Sequence, residues 1–244
     1  DSSALDFTSQ FSLSTWVKIT ETTSYGFIIS KSSNGANGGD ELFRQTGSGA
    51  IRFSMCNADG SSCAGGYFDI ATTPTYNDGK WHYIVATMRN GGTAKIYVDG
   101  ILVKESGAVT QNNIANSTNL HIGRRGTPNQ PFKGFIDEPK VYNYERSAAQ
   151  IKADFKARGT SKGSSAVFGA NTQNLSALSD GLVGYWKMDE ASWNNNCVAT
   201  SVTDSSGNGN NGSACPATTG PTGGAVGKFG NGGSFDGNDD YVSL

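Results

Sequence analysis

The chain has few charged residues, and this scarcity narrows the partners that it can bind. Charged residues are 16% of the 244, the formal net charge is −2, and no charge run exceeds two residues. A surface of this kind offers no basic stripe for phosphates or anionic lipid, which argues against nucleic acid and membrane surfaces as partners. No apolar stretch has the ~18–20 residues that cross a bilayer, so membrane insertion is not expected. The opening DSSALDF also lacks the layout of a signal peptide.

The chain is equally poor in catalytic chemistry. It has two histidines, His82 and His121, and it contains no G-x-S-x-G, P-loop or H-E-x-x-H motif. Its acidic pairs, Asp137-Glu138 and Asp189-Glu190, are adjacent in sequence and in regular strands would point to opposite faces. Glycosidases need two carboxyl groups ~5–10 Å apart on one substrate face. We therefore expect no catalytic residues and no enzyme, with a glycoside hydrolase as a distant alternative.

Cysteine is scarce too, and its spacing favours disulfides. Cys56 and Cys63 enclose a short polar segment, and Cys197 and Cys215 enclose a longer one rich in Ser, Asn and Gly. We expect the pairs Cys56–Cys63 and Cys197–Cys215, as in small loops pinned at their base. A four-thiolate zinc site is the alternative, although the spacings lack its short C-x2-4-C pairs. Disulfides and a glycine-rich, polar composition indicate an extracellular or cell-surface protein.

What the chain has in abundance is strand-like sequence between turns. Such segments occupy 11–19, 25–31, 50–55, 81–88, 94–100, 119–123 and 135–142, and residues 81–105 suggest a three-strand meander. Ser147 and Gln150 form a capping box before a short helix near 147–158. The pattern predicts an all-β fold, a two-sheet antiparallel sandwich with one helix.

The strand motifs resemble a known family, the laminin G-like, concanavalin A-like jelly rolls found in bacterial surface proteins. The matching motifs are DGKWHYIVATM, IYVDGILV, GFIDEPKVYNYERSAAQI, GLVGYWKMDE, VTDSSGNGNNG and KFGNGGSFDGNDDYVSL. In that family the last three come first. The resemblance implies a main part at 1–158, a linker at 159–180, and opening strands at 181–244 in rotated order. These strands either complete the same domain or begin a neighbouring repeat, giving a monomer or a strand-swapped oligomer.

The resemblance implies a structural calcium ion, because many laminin G-like domains hold one. Asp204, Ser206 and Asn208 have a spacing that can wrap oxygen ligands around a hard cation. Asp137, Asp189 and Asp236 are further candidates, because the fold is expected to bring them near one another. A turn-rich loop without an ion explains the DSSGNGNNG segment equally well.

Sugar binding is the other function that the resemblance implies. Exposed aromatic rings stack on sugar rings while polar side chains donate hydrogen bonds. Trp193, Tyr67, Tyr76 and Arg124 are the candidates, whereas Trp16, Trp81 and Trp186 are expected in the core. The sequence thus predicts a non-catalytic binding or adhesion module with a glycan or surface-protein ligand. A structural spacer without a ligand is the alternative.

Overall fold

The structure is a computed structural model that describes residues 5–7, 9–20, 25–32, 39–44, 49–56, 67–110, 118–126, 130–159 and 179–244. The side chains of Cys56 and Tyr67, and all of Cys63, lie outside this described part. Among the described residues, no helix has the length and apolar character needed to cross a lipid bilayer.

The described strands form two antiparallel sheets, as the sequence predicts. The strands are β1 (Gln10–Ile19), β2 (Gly26–Ser30), β3 (Gly39–Arg44), β4 (Ile51–Cys56), β5 (Tyr67–Ala71), β6 (Trp81–Arg89), β7 (Thr93–Val98), β8 (Ile101–Ala108), β9 (His121–Ile122), β10 (Lys133–Tyr142), β11 (Leu182–Tyr185), β12 (Ser213–Cys215), β13 (Thr222–Val226), β14 (Asn231–Asp236) and β15 (Tyr241–Ser243). The first sheet has the order β13-β14-β10-β1-β6-β7-β8, with β11 also on β10. The second has the order β12-β15-β9-β2-β3-β4-β5.

The core lies between the sheets and comes from alternating apolar residues. Phe11, Leu13, Val17 and Ile19 of β1 are at most 1% exposed and face the second sheet. Trp186 is fully buried there, and its indole Nε1 donates to the Asn210 carbonyl at 2.7 Å. Burial of these side chains is the main source of stability.

The helix α1 (Ala148–Gly159) covers the outer face of the first sheet. Its capping box forms as predicted: the Ser147 amide donates to Gln150 Oε1 at 2.9 Å, and the Gln150 amide donates to Ser147 Oγ at 3.3 Å. Ile151 and Phe155 then pack on a second apolar cluster that includes Trp16.

The strands of residues 182–243 pair with strands of residues 10–142 in both sheets. In the first sheet, β14 pairs with β10 over Lys133–Ile136, and β11 pairs with β10 over Lys140–Tyr142. In the second, β15 pairs with β9. Neither sheet is therefore built from one end of the chain alone.

Candidate functional site

The outer face of the second sheet carries a row of polar side chains. Because Val242, Ile122 and Ile29 point into the core, their neighbours on each strand point outward. The outward row across the paired strands includes Ser213, Ser243, His121, Ser30, Ser54 and Asp69. Arg52 and Asp69 form an ion pair on β4 and β5, with Arg52 Nε 3.0 Å from Asp69 Oδ1. This face is therefore rich in hydrogen-bonding groups.

Arg124, Tyr241 and His121 form a cluster at one side of this row, which we call the Arg124 cluster. The Arg124 guanidinium carbon lies 3.5 Å from the centroid of the half-exposed Tyr241 ring, and His121 meets that ring edge-on at 5.5 Å. Asn119 extends the cluster by donating to Ser243 Oγ at 3.1 Å. A guanidinium, a phenol ring and an amide thus lie together on an accessible surface.

Several polar atoms in or beside this cluster are buried and unpaired in the part of the chain that the structure describes. Arg124 Nε and His121 Nδ1 of the cluster, and Ser30 Oγ on neighbouring β2, have no hydrogen-bond partner among the described residues. Burial lowers the pKa of His121 to about 4, and the charges of Arg124 and Lys31 act in the same direction. His121 is therefore neutral at pH 7, and the surrounding potential is positive.

None of the predicted sugar-binding aromatic side chains that the structure describes lies in the Arg124 cluster. Trp193 is half-buried against Phe235 at the edge of the core, and its ring covers Gly233, where a Cβ would approach the indole to 2.5 Å. Tyr76 also packs against the core and meets His82 edge-on. The Tyr67 side chain lies outside the described residues. Arg124 alone of the described candidates belongs to the Arg124 cluster.

Asp204 is the centre of a hydrogen-bonded turn. Its Oδ1 accepts from the amides of Tyr185 at 3.0 Å and Ser206 at 2.8 Å. Its Oδ2 accepts from Ser206 Oγ at 2.8 Å and the Asn210 amide at 2.9 Å. Asn208 Nδ2 donates to the carbonyls of Leu182 and Val183. These three predicted calcium ligands are brought together, and the Asp204 oxygens are already used in the turn.

Asp137 and Asp189 meet at a second turn, where each anchors the backbone. Asp137 Oδ2 accepts from the Phe229 amide at 2.9 Å, and Asp189 Oδ1 accepts from the Asn231 amide at 3.0 Å. Burial raises the pKa of Asp137 to about 7, with Glu138 and Asp189 adding repulsion. Asp236 lies at the other end of β14, roughly 16 Å from Asn231 at 3.3 Å per residue. The expected convergence of the three carboxylates therefore holds for two of them.

The expectation that Asp137 and Glu138 point to opposite faces is wrong. A bulge in β10 places Glu138 at φ +54°, and the register with β1 shifts there. Both side chains consequently lie on the outer side of the first sheet, where Glu138 contacts the Tyr185 hydroxyl and lies 3.5 Å from Lys140 Nζ. Both acids are at most 3% exposed, so substrate has no access to them in this conformation.

A third acidic group was not predicted as a unit. One carboxylate oxygen from each of Asp236, Asp239 and Asp240 lies within 4.8 Å of the others, in the turn between β14 and β15. The sequence signal was the run DGNDD, of which only Asp236 was selected.

The structure describes one of the two predicted cysteine pairs. Cys197 and Cys215 form the expected disulfide, which rules out a zinc site that uses their thiolates. The Cys56–Cys63 pair stays a prediction, since both side chains lie outside the described residues.

His82 lies between two acids, with Nδ1 2.8 Å from Asp99 Oδ2 and Nε2 3.1 Å from Asp78 Oδ1.

The chain is similar to one sequence family over more than half of its length. The model of Laminin_G_3, described as the concanavalin A-like lectin/glucanases superfamily, matches residues 1–152. No curated protein sequence matches the chain at a significant level.

Solved structures with the same fold include several binding domains. A putative carbohydrate binding protein from Bacteroides ovatus aligns over 95% of this chain with a TM-score of 0.58 and 18% identity. This chain covers 53% of that protein, so it spans about half of its length. Domain 4 of an extracellular arabinanase from Geobacillus stearothermophilus, in complex with arabinotriose, aligns with a TM-score of 0.50 and 22% identity, covering 62% of this chain and 68% of the domain. The CBM40 domain of a Ruminococcus gnavus sialidase, bound to sialyllactose, has a TM-score of 0.50 and 17% identity, with coverages of 61% and 84%.

Proposed function

The chain belongs to the concanavalin A-like lectin/glucanases superfamily, and from this premise we propose that it is a non-catalytic glycan-binding module whose ligand contacts the Arg124 cluster. The observation that carries the proposal is the state of Arg124. Its guanidinium stacks on Tyr241, is partly exposed and forms no ion pair with another described residue. A partly exposed positive charge without a counter-ion can bind a ligand oxygen through charge-assisted hydrogen bonds.

The chemistry of the neighbouring side chains supports a sugar ligand. Sugar hydroxyls are both donors and acceptors, and the partly exposed Asn119 and Ser243 offer both kinds of group on one surface. The exposed part of Tyr241 adds apolar contact of the kind that sugar C–H groups make with aromatic rings. The solved structures with this fold include carbohydrate-binding domains, which is consistent with this use.

A glycan array with the purified chain tests the proposal. We expect binding to at least one glycan class, and Arg124→Met should weaken it by about tenfold or more, the loss typical of a charge-assisted hydrogen bond. Tyr241→Ala should also weaken it. Arg89→Met is the matched control, because Arg89 lies on β6 of the other sheet and its side chain is 61% exposed. Circular dichroism confirms that each variant is folded.

The outcomes separate the alternatives. Binding that survives both Arg124→Met and Tyr241→Ala would refute this site. If the folded protein binds no glycan on the array, a structural spacer is favoured. Turnover of any glycan would favour a hydrolase. The proposal places the module outside the cell, which the Cys197–Cys215 disulfide supports because such bonds persist in oxidising compartments.

We further propose that residues 181–244 complete the same domain as residues 1–158, in permuted order. The pairing of β14 with β10 and of β15 with β9 within one chain supports this arrangement. Light scattering should give a monomer whose mass does not depend on concentration. A dimer that persists on dilution would instead indicate that these strands are exchanged between copies.

A further inference from the structure

The outer face of the first sheet carries a row of partly exposed side chains beside the part that α1 covers. Val17 and Ile19 point into the core, so Lys18 between them points outward. Strand pairing places Trp81 on one side of Lys18 and Phe135 on the other. All three are partly exposed, although the sequence predicts Trp81 in the core. We call these three residues the Trp81 platform.

The platform is compact and presents only side chains. The ring centroids of Trp81 and Phe135 are 6.4 Å apart, and the rings are tilted by 54°. Neighbouring strands lie about 4.8 Å apart, so the three side chains span about 10 Å, comparable with the length of a disaccharide. Each of β6, β1 and β10 lies between two other strands, so a peptide cannot add here as a further strand. A ligand therefore has to bind through side-chain contacts.

Two lysines give this surface positive charge without a carboxylate partner. Lys18 Nζ lies 5.6 Å from the centroid of the Phe135 ring, and Lys228 Nζ lies 4.7 Å from the Trp16 ring, two residues before Lys18 on the same face. Neither ammonium group forms an ion pair with a described residue. Asp137, opposite Trp16 on β10, is fully buried, and its Oδ2 accepts from a backbone amide. Both ammonium groups thus remain available to an anion.

We propose that the Trp81 platform binds a polysaccharide that carries carboxylates, such as one built from uronic acids. The C–H faces of sugar rings pack on aromatic rings, and Trp81 and Phe135 supply two such rings close together. The ligand carboxylates pair with Lys18 and Lys228 through charge-assisted hydrogen bonds, which are stronger than neutral ones. The Arg124 cluster belongs to β9 and β15 of the second sheet, so this site is separate from it and the inference does not rest on the proposed function.

Isothermal titration calorimetry of the full chain with oligogalacturonate tests the site. We expect binding that weakens as NaCl is raised, because salt screens exposed charges. The methyl ester of the same oligosaccharide keeps the sugar rings but loses the charge, and it should bind about tenfold more weakly. Polyglutamate carries the charge without sugar rings, and it should also bind about tenfold more weakly.

Lys18→Gln removes the charge at the centre of the platform and should weaken oligogalacturonate binding about fivefold or more. Lys104→Gln is the matched control, because Lys104 is exposed on the edge strand β8. Phe135→Leu keeps an apolar side chain but loses the ring, and it should weaken binding to a similar extent. Arg124→Met should bind oligogalacturonate at the platform as the wild type does. Circular dichroism confirms that each variant is folded.

The results distinguish this site from the Arg124 cluster. Oligogalacturonate binding that is absent, or that Lys18→Gln and Phe135→Leu both leave unchanged, would overturn the platform site. Binding that is lost in Arg124→Met but kept in Lys18→Gln would also overturn it, while supporting the proposed function. Equal affinity for the methyl ester would overturn the acidic class of ligand, and equal affinity for polyglutamate would overturn the choice of a sugar.

Discussion

Replacing Asp204 with asparagine separates a hydrogen-bonded turn from a metal site. The carboxylate accepts four hydrogen bonds, two on each oxygen. An amide group can accept only on its oxygen, so one pair of donors loses its acceptor. If the new NH₂ replaces Oδ2, the hydroxyl of Ser206 can rotate, but the amide of buried Asn210 is left without an acceptor.

The magnitude follows from these contacts. One buried donor without a partner costs about 1–3 kcal/mol, and losing the negative charge weakens the remaining bonds, for a total of about 3 kcal/mol. For a chain of 244 residues this corresponds to a fall in Tm of about 6–12 °C. Since the stabilising groups belong to the protein, the fall should be the same with calcium and with EDTA.

Thermal unfolding followed by circular dichroism measures this effect, with Asp180→Asn as the control that removes a carboxylate from an exposed position. A fall below about 2 °C would refute the reasoning. A fall that occurs only in the presence of calcium would show that an ion, and not the amides, is the partner of Asp204.

The remaining predictions concern titration and a buried ion pair. The hydrogen bond to Asp99 raises the pKa of His82. The stability that protonated His82 contributes is therefore complete below pH 6.5 and is lost as the pH rises through the folded-state pKa. In urea unfolding, His82→Gln should lower the free energy of unfolding less at pH 9 than at pH 6. The pKa of His121 is lowered to about 4, so the corresponding stability is present above pH 6.5 and is lost as the pH falls toward 4. His121→Gln should make the Tm less sensitive to acid over that range, and an unchanged acid profile would contradict this account. Arg146 and Asp154 form an ion pair with side chains 1% and 12% exposed, so Arg146→Met should cost about 3–5 kcal/mol by urea unfolding, and Arg146→Met with Asp154→Leu should recover most of it.

Local sequence patterns predict the central strands well. In β1, Phe11 and Leu13 alternate with polar residues, and the pattern alone assigns their face. The edge strands β12 and β13 were missed because SAC and TGGAV have little strand preference, and pairing with β15 and β14 decides their conformation.

The candidate site depends on tertiary contacts that a single sequence does not reveal. The polar neighbourhood of Trp193 suggested exposure, yet its ring fills the space above Gly233, which has no side chain of its own on the core face. The bulge at Glu138 arises where β10 matches β1, so strand periodicity could not anticipate it. Arg124 and Tyr241 are 117 positions apart in the numbering and meet only through the pairing of β15 with β9.

The return of the last strands to β9 and β10 also affects how the protein is made. When the ribosome has released the chain as far as residue 142, one edge of β10 and one edge of β9 do not yet have their partner strands. Those partners, β14 and β15, follow about 90 or more residues later, and pairings of such long range form slowly. Until then the nascent chain exposes open sheet edges, which are sites of aggregation. Synthesis therefore has to finish these strands before the sandwich can close, and during that interval the chain should depend most on chaperones.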